Sequence, residues 1–560
     1  MRVFYHLFLL CELLVLSFSV TSCYEPERPN IIVIYTDDQG YGDMSLLNPE
    51  AKFETPNLDR MAEAGILFTN AHSADAVYTP SRYSLLTGRY CWRTEKKRRV
   101  LGAEAECLIA DDRMTLASLL RDNGYAAGMV GKWHLGMDFP GTPQNRDWTK
   151  PVQDMLLDKG FEYFYGIPAS LNYGVLVWFE GRYAKVPPTL YTVKKLNKRH
   201  VDYRIKPPYQ ETPEATREVL NRNGMEVAPD FADSLCLTRF TEKAIAWIDE
   251  KKEDAENGKP FFLYLAYTSP HYPVCPLPEF HGQGEAGAYG EFVIETDYHV
   301  GQVLDYLEES GLENNTLVVF SSDNGPENSW KQRIEDYGHH SNYIYREGKR
   351  SIYEGGHRVP FIVQWPEGIK RPGRTWDGII GQVDLLATFA EITGAELPAD
   401  GGVDSYSFAD VLRRPQSKHE RLPLINHSNK GDYAITEGNW KLIFHAADNR
   451  KALFNLADDP SEENDVAASH PEIVTELTKK SSDIVLNGRT TAGPVQMNDT
   501  EYWKDLTWIT EEEYTTRQSI RSFITGSHTG SHTGTRQKNV ATLHCSGTAD
   551  QNMDLFSNNK

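Results

Sequence analysis

Several short runs in this chain deliver acids, an amide, lysine and histidines to the ends of apolar stretches. Asp37 and Asp38 close "NIIVIYTDD", Lys132 and His134 follow "YAAGMVG", His271 follows "FFLYLAYTSP", and Asp323 and Asn324 follow "TLVVFSS". Asp37, Asp38, Asp323 and Asn324 offer hard oxygen ligands and no thiolate, a set that suits calcium or magnesium rather than zinc. Three carboxylates converging without a cation would repel one another, so a divalent ion is expected among them. Arg82, Lys132, Lys349, His134 and His271 would then surround a tetrahedral anion sitting on that ion. Lys349 comes from "REGKRSIYEGGHRVP", a glycine-punctuated loop just before a strand. Taken singly, each residue has a plainer reading: a strand-end aspartate usually caps a helix or turn, and a lone histidine is usually a surface group. Their joint placement is what points to a site.

The stretch "DAVYTPSRYSLLTGR", residues 75–89, adds the start of a helix. Pro80 suits the first helical turn, Ser81 and Arg82 can donate to oxyanions, and Leu85 and Leu86 would anchor the turn in a core. Tyr78 stands where a small nucleophile would be expected.

These residues need elements to hold them. After the first 29 residues, apolar strand-like runs alternate with helical patterns. The helical patterns include "TPNLDRMAEAG", with Thr55 as cap and Gly65 as stop, "RFTEKAIAWIDEKK", "EFVIETDYHVGQVLDYLEESG" and "VDLLATFAEITG". That order predicts an α/β fold, a mostly parallel central sheet flanked by helices. In such a sheet ligands bind beyond the carboxyl ends of the strands, where all these residues fall. From about residue 420 the pattern changes to short strands, as in "YAITEGNWKLIFH", and the helix "PEIVTELTKK", which predicts a small C-terminal α+β subdomain. The expected organisation is a signal over residues 1–22, a catalytic α/β domain over 24–415, the subdomain over 416–520, and an unstructured tail over 521–560 containing "GSHTGSHTGT".

The chain has 560 residues, 40% of them hydrophobic, and a formal net charge of −21. That charge makes nucleic acid a poor partner, and any anionic substrate must be met by a local basic pocket. The N-terminal run "VFYHLFLLCELLVLSFSV" reads as an export signal, too short and too marked to be a stable span. "VTSC" resembles a lipobox with Cys23 as the lipidated residue; the plainer alternative is an ordinary secretory signal cut near Ser22. The expected location is the periplasm or outer membrane of a bacterium, or the medium, with membrane contact only through that lipid. Five further cysteines are no disulfide framework, although a Cys91–Cys107 pair is open to formation.

The motifs "TDDQGYGD", "TPSRYSLLTGR", "GKWHLG", "SPH", "SSDNG" and "GKRSIYEGGHRVPFIVQWP" occur in one order. In them the chain resembles the formylglycine-dependent sulfatases of the alkaline phosphatase superfamily, from about residue 29 to about 500. The resemblance implies calcium at Asp37, Asp38, Asp323 and Asn324. It implies that Arg82 and Lys132 hold the nucleophile's hydroxyls and the sulfate. His134 matches the base that breaks the sulfated intermediate, and His271 and Lys349 match donors to the ester and its leaving oxygen.

Tyr78 departs from the family pattern. There the signature begins with Cys, or sometimes Ser, which a formylglycine-generating enzyme oxidises; tyrosine cannot be converted that way. Three readings follow: a sulfatase hydrolysing esters of a sulfated polysaccharide or oligosaccharide, an impaired sulfatase-like binder of such a glycan, or, more weakly, a phosphoesterase using Thr79. "WRTEKKRRV", residues 92–100, together with His339, His340 and Arg346, is a candidate subsite for a polyanionic glycan, or else solvated loop.

Overall fold

The computed structural model describes residues 28–142, 145–193 and 224–525. The expected signal, Cys23, Cys545 and most of the expected tail lie outside the described residues.

The main unit is built on a ten-stranded sheet. Its strands are β1 (Asn30–Asp37), β2 (Gly65–Phe68), β3 (Ala126–Lys132), β4 (Tyr163–Ile167), β5 (Phe179–Glu180), β6 (Tyr183–Ala184), β7 (Phe261–Pro270), β8 (Thr316–Ser322), β9 (Phe361–Gln364) and β10 (Arg374–Trp376). They lie in the order β10-β2-β9-β8-β1-β7-β3-β4-β5-β6. The central strands β8, β1, β7, β3 and β4 pair in parallel. Only β9 and β5 run against both of their neighbours. Every residue of β1, β7 and β8 is buried. A strand covered on both faces needs an unbroken apolar run, which is why these segments show no alternation.

Two groups of helices pack on this sheet: α1 (Pro56–Glu63) with α4 (Cys236–Glu256) and α5 (Gly287–Glu309), and α2 (Tyr78–Thr87) with α3 (Leu116–Asp122) and α6 (Leu385–Thr393). The helix α1 follows Thr55 as read from the sequence, but it ends at Glu63, and Gly65 opens β2 instead of merely stopping the helix. Gly88 ends α2 in the left-handed region at φ 61°, where its N–H returns to the Ser84 carbonyl. A Cβ there would also sit 3.0 Å from Gly402 Cα and the Leu386 side chain, so the turn that closes this helix requires glycine.

The C-terminal unit is an antiparallel sheet of β11 (Leu424–His427), β12 (Tyr433–Glu437), β13 (Trp440–Phe444) and β14 (Lys451–Asn455), with α7 (Pro471–Asn487) and α8 (Glu511–Thr525). The helix α8 continues to Thr525, so residues 521–525 belong to a helix rather than to the expected tail. Ile435, Leu442, Phe444 and Leu453 pack with Leu477 and Val485 of α7. Tyr90 and Trp92, just beyond α2, complete the same core. Cys91 and Cys107 are free thiols, so the Cys91–Cys107 bridge is not formed. No helix of the described residues is long and apolar enough to cross a membrane.

A buried charge network joins the two units. Lys441 on β13 is fully buried and reaches Glu354 Oε1 at 2.9 Å, Glu462 Oε1 at 2.8 Å and His357 Nε2 at 3.1 Å. Glu354 lies five residues beyond Lys349, so this lysine on the small unit anchors a loop of the large one. Removing one partner from a buried network strands the others, at a cost of roughly 3–5 kcal/mol. Lys441→Met is therefore expected to lower the urea midpoint followed by tryptophan fluorescence. An unchanged midpoint would show that the network adds nothing to stability.

Candidate active site

Parallel strands end at one edge, and the residues named from the sequence arrive there together. Asp37 is the last residue of β1, and Asp38 follows it at φ 67°, a left-handed conformation that aspartate tolerates better than most side chains. Lys132 ends β3, and His134, two residues on, is also left-handed at φ 58°. His271 follows β7 and Asp323 follows β8. Arg82 reaches in from the first half of α2, and Lys349 from the loop before β9. All of these side chains are buried.

The acids are paired with cations of the protein. Arg82 donates from Nε and Nη2 to Asp323 Oδ2 at 3.0 and 2.7 Å. Lys132 donates to Asp37 Oδ2. Lys349 lies 2.6 Å from Asp38 Oδ1 and 2.7 Å from Oδ2. Three cationic side chains of the protein thus face the three carboxylates. Burial pushes Lys132 down to about 8, with Asp37 opposing that shift. Burial also works against a charged Lys349, but Asp38 and Glu327 outweigh it and hold the ammonium above its ordinary range. Asp323 rises to about 6 through burial and the nearby Asp37, against the pull of Arg82.

Oxygen donors nevertheless remain unused. Asp37 Oδ1 and Asn324 Oδ1 are buried with no hydrogen-bond partner among the described residues. Asp37, Asp38 and His271 each bring one ligand atom to within 4.8 Å of the others. Unpaired hard oxygens beside a carboxylate pair fit an oxygen-loving divalent cation.

The two histidines are neutral and oriented. His134 donates from Nε2 to the Leu101 carbonyl at 2.9 Å, which leaves Nδ1 to accept from the Ser170 N–H at 3.3 Å. Burial, then the nearby Lys132, holds it well below the ordinary imidazole range. His271 donates from Nδ1 to the Tyr272 carbonyl at 2.6 Å and turns Nε2 toward Asp38, 3.8 Å away. Burial and then Lys349 lower it to about 3. Ser170 is a member of the site that sequence reasoning misses, because a serine in a turn carries no signal until its partner is known.

Tyr78 lies at the centre of this arrangement. It opens α2, and its ring lies 4.3 Å from Lys132 Nζ and 4.7 Å from Lys349 Nζ, measured to the ring centroid. The His134 ring is 4.4 Å away at 31°, and the His271 ring 6.0 Å away, edge-on. Its hydroxyl meets the Tyr173 hydroxyl at 2.9 Å. Burial, then Tyr173, raises the Tyr78 phenol well above its ordinary pKa, so the oxygen stays protonated. Thr79, next in the chain, faces elsewhere: its hydroxyl donates to the His134 carbonyl at 3.3 Å and accepts the Leu101 N–H at 3.2 Å.

The expected glycan subsite does not come together. Arg93 is buried against Asp404 at 2.8 Å, Arg98 pairs with Asp505 at 2.6 Å, and Lys97 lies over Trp503. His339 is fully buried against Asp43 at 2.8 Å, and Arg346 donates to the Glu462 carbonyl and stacks over Tyr353. His340 is half-buried, with its carbonyl accepting the Tyr343 N–H. Most of these groups therefore tie loops to the C-terminal unit or to the core.

A family model described as Sulfatase matches residues 29–395, and one described as N-sulphoglucosamine sulphohydrolase, C-terminal, matches residues 343–486. Fold and site together define an ester hydrolase of the alkaline phosphatase superfamily. Within it, the chain belongs to the sulfatase family, whose members are sulfuric ester hydrolases. It is 33% identical over 493 residues to the N-acetylgalactosamine-6-O-sulfatase of Bacteroides thetaiotaomicron, covering 81% of this chain and 92% of that one. Human arylsulfatase A is 29% identical over 503 residues, covering 84% and 90%. Among solved structures, one from work on glycosaminoglycan metabolism by Bacteroides thetaiotaomicron superimposes with a TM-score of 0.70 at 31% identity, covering 82% of this chain and 99% of that one. Another, Ps i-CgsB with k-i-k-neocarrahexaose bound, gives a TM-score of 0.65 at 25% identity, covering 86% and 100%.

The unused oxygens lead to a measurable expectation. A divalent cation at 100 times its Kd should stabilise the fold by about 2.7 kcal/mol, raising the melting temperature. Asn324→Ala keeps the three ion pairs and should shrink that rise. A melt indifferent to both added ion and chelator would sink the metal assignment.

Proposed function

We propose that this pocket is built for a sulfate ester of a carbohydrate, and that Tyr78 keeps the chain as it stands from turning one over. The observation that carries the reading is the pair of buried ammonium groups, Lys132 and Lys349, both within 4.7 Å of the centre of the Tyr78 ring. A compact tetrahedral anion would satisfy both, as cationic donors stabilise charge on a transferring group. Sulfated glycan as the substrate class is supported by the relative named for N-acetylgalactosamine 6-O-sulfate chemistry.

Asp37, Asp38, Asp323 and Asn324 would hold the divalent ion, which we take to be calcium; when bound it would polarise a sulfate oxygen as a Lewis acid. The remaining steps fall to the chain's own groups. Arg82 fixes Asp323, Lys132 and Lys349 hold the anion, and His271, whose Nδ1 proton is held by the Tyr272 carbonyl, would serve the leaving alcohol only after its Nε2 takes up a proton. His134 has one imidazole nitrogen tied to Leu101 and the other to Ser170, ready to act as a base only if that second contact is released. In keeping with a role in glycan breakdown, the chain is proposed to be exported, with Cys23 as a candidate lipid attachment.

The protonated Tyr78 phenol leaves the chain as it stands a binder of such esters that does not cleave them, although its ring would have to leave the cradle for sulfate to enter. The Thr79 phosphoesterase reading loses support from that hydroxyl's two hydrogen bonds. Tyr78→Cys, expressed with a formylglycine-generating enzyme, should raise sulfate release from a sulfated oligosaccharide by on the order of 1,000-fold or more, the scale lost when a nucleophile is removed. Robust release by the unaltered chain, surviving Thr79→Ala, would show that the nucleophile has been misplaced. Sulfate-ester binding without release by the converted Tyr78→Cys protein would favour the binder.

A further inference from the structure

Tyr78 fills the volume that a bound ester would take, so its neighbours trace that ester's surroundings. Its side chain leaves the start of α2, lays its ring beside Lys132 and Lys349, and ends with its hydroxyl against Tyr173. The lysines meet its ring, where sulfate would lie. Tyr173 meets the far end, where the group carrying the sulfate would continue.

We infer that Tyr173 is a specificity-determining residue, whose phenol hydroxyl recognises an oxygen of the sugar that bears the sulfate. This rests on reading the cradle as a sulfate-ester site. Three features of Tyr173 support it. Its hydroxyl is 2.9 Å from the Tyr78 hydroxyl, a polar atom already standing in the leaving group's direction. Its residue is half-buried, whereas Lys132, His134, His271 and Lys349 are all buried, so it lies on the outer side of the cradle. Its position is also set by the same turn that orients the catalytic base: the Tyr173 N–H donates to the Ser170 carbonyl at 2.9 Å, Ser170 holds His134 Nδ1, and the Tyr173 ring meets the His134 ring edge-on at 5.1 Å. A phenol held by its backbone and its ring can offer its hydroxyl at one fixed point. That is the arrangement by which a site accepts a hydroxyl- or amide-bearing ring and rejects one lacking that group.

The test opens the cradle without restoring a nucleophile. Tyr78→Ala, with Tyr78→Gly as a second opening should the first not fold, is titrated calorimetrically with inorganic sulfate and with N-acetylgalactosamine 6-sulfate. Both probes should bind the opened protein. Adding Tyr173→Phe should leave sulfate affinity unchanged and weaken the sugar sulfate roughly 10-fold, the scale of one lost hydrogen bond. Equal losses on both probes, or none on the sugar sulfate, would overturn the role of Tyr173 while leaving the cradle standing. Failure of inorganic sulfate to bind either opened protein would overturn the cradle itself, and this inference with it.

Discussion

Everything at the sheet edge depends on three buried carboxylates facing three buried cations. Asp37 with Lys132, Asp38 with Lys349 and Asp323 with Arg82 form an electrically balanced group with no solvent to screen it. Such pairs are costly to desolvate and contribute little net stability, yet breaking any one would leave an uncompensated buried charge. They are better understood as fixing geometry than as holding the fold together. Each pair joins elements far apart in sequence: β1 to β3, β1 to the loop before β9, and β8 to α2. The parallel sheet makes this possible, because it brings the ends of β1, β3, β7 and β8 to one edge without any loop having to fold back.

The C-terminal unit takes part in the same construction. His427 on β11 lies 2.6 Å from Asp75, and its carbonyl accepts the Ala76 N–H at 3.1 Å. Asn426 donates to the Ser73 carbonyl at 2.8 Å, and from the other side the Arg350 N–H donates to the Ala76 carbonyl at 2.8 Å. The segment leading into Tyr78 is therefore clamped between a strand of the small unit and the residue next to Lys349. Lys441 repeats the device two strands further on, through Glu354. The two units share a core as well as these contacts, so the small one is part of the scaffold of the site.

Much of this is legible in the sequence, and the reason is specific. Polar residues that end unbroken apolar runs are gathered at one edge by a parallel sheet, so the pattern alone places Asp37, Lys132, His271 and Asp323 together. What stays hidden depends on partners distant in sequence. The basic run from Arg93 to Arg99 resembles a binding surface because Asp404 and Asp505, which neutralise two of its arginines, lie 311 and 407 residues away. His339 misleads for the same reason, its partner Asp43 being far upstream. The edge strands β5 and β6 have two residues each, too few to show any period, and Ser170 is recognisable only through the imidazole it holds.

Tyr78 is where sequence and structure meet most directly. An aromatic ring is uncharged, yet its negative face attracts ammonium groups, by about 0.5–2 kcal/mol each when they are desolvated. Close to Lys132 and Lys349, the ring thus offers part of what an anion would offer. Its hydroxyl, left in a buried setting, is satisfied by Tyr173 rather than stranded. A side chain that merely blocked the pocket would be expected to disturb its walls. This one meets them with ring contacts and a hydrogen bond, although it lacks the nucleophile's chemistry.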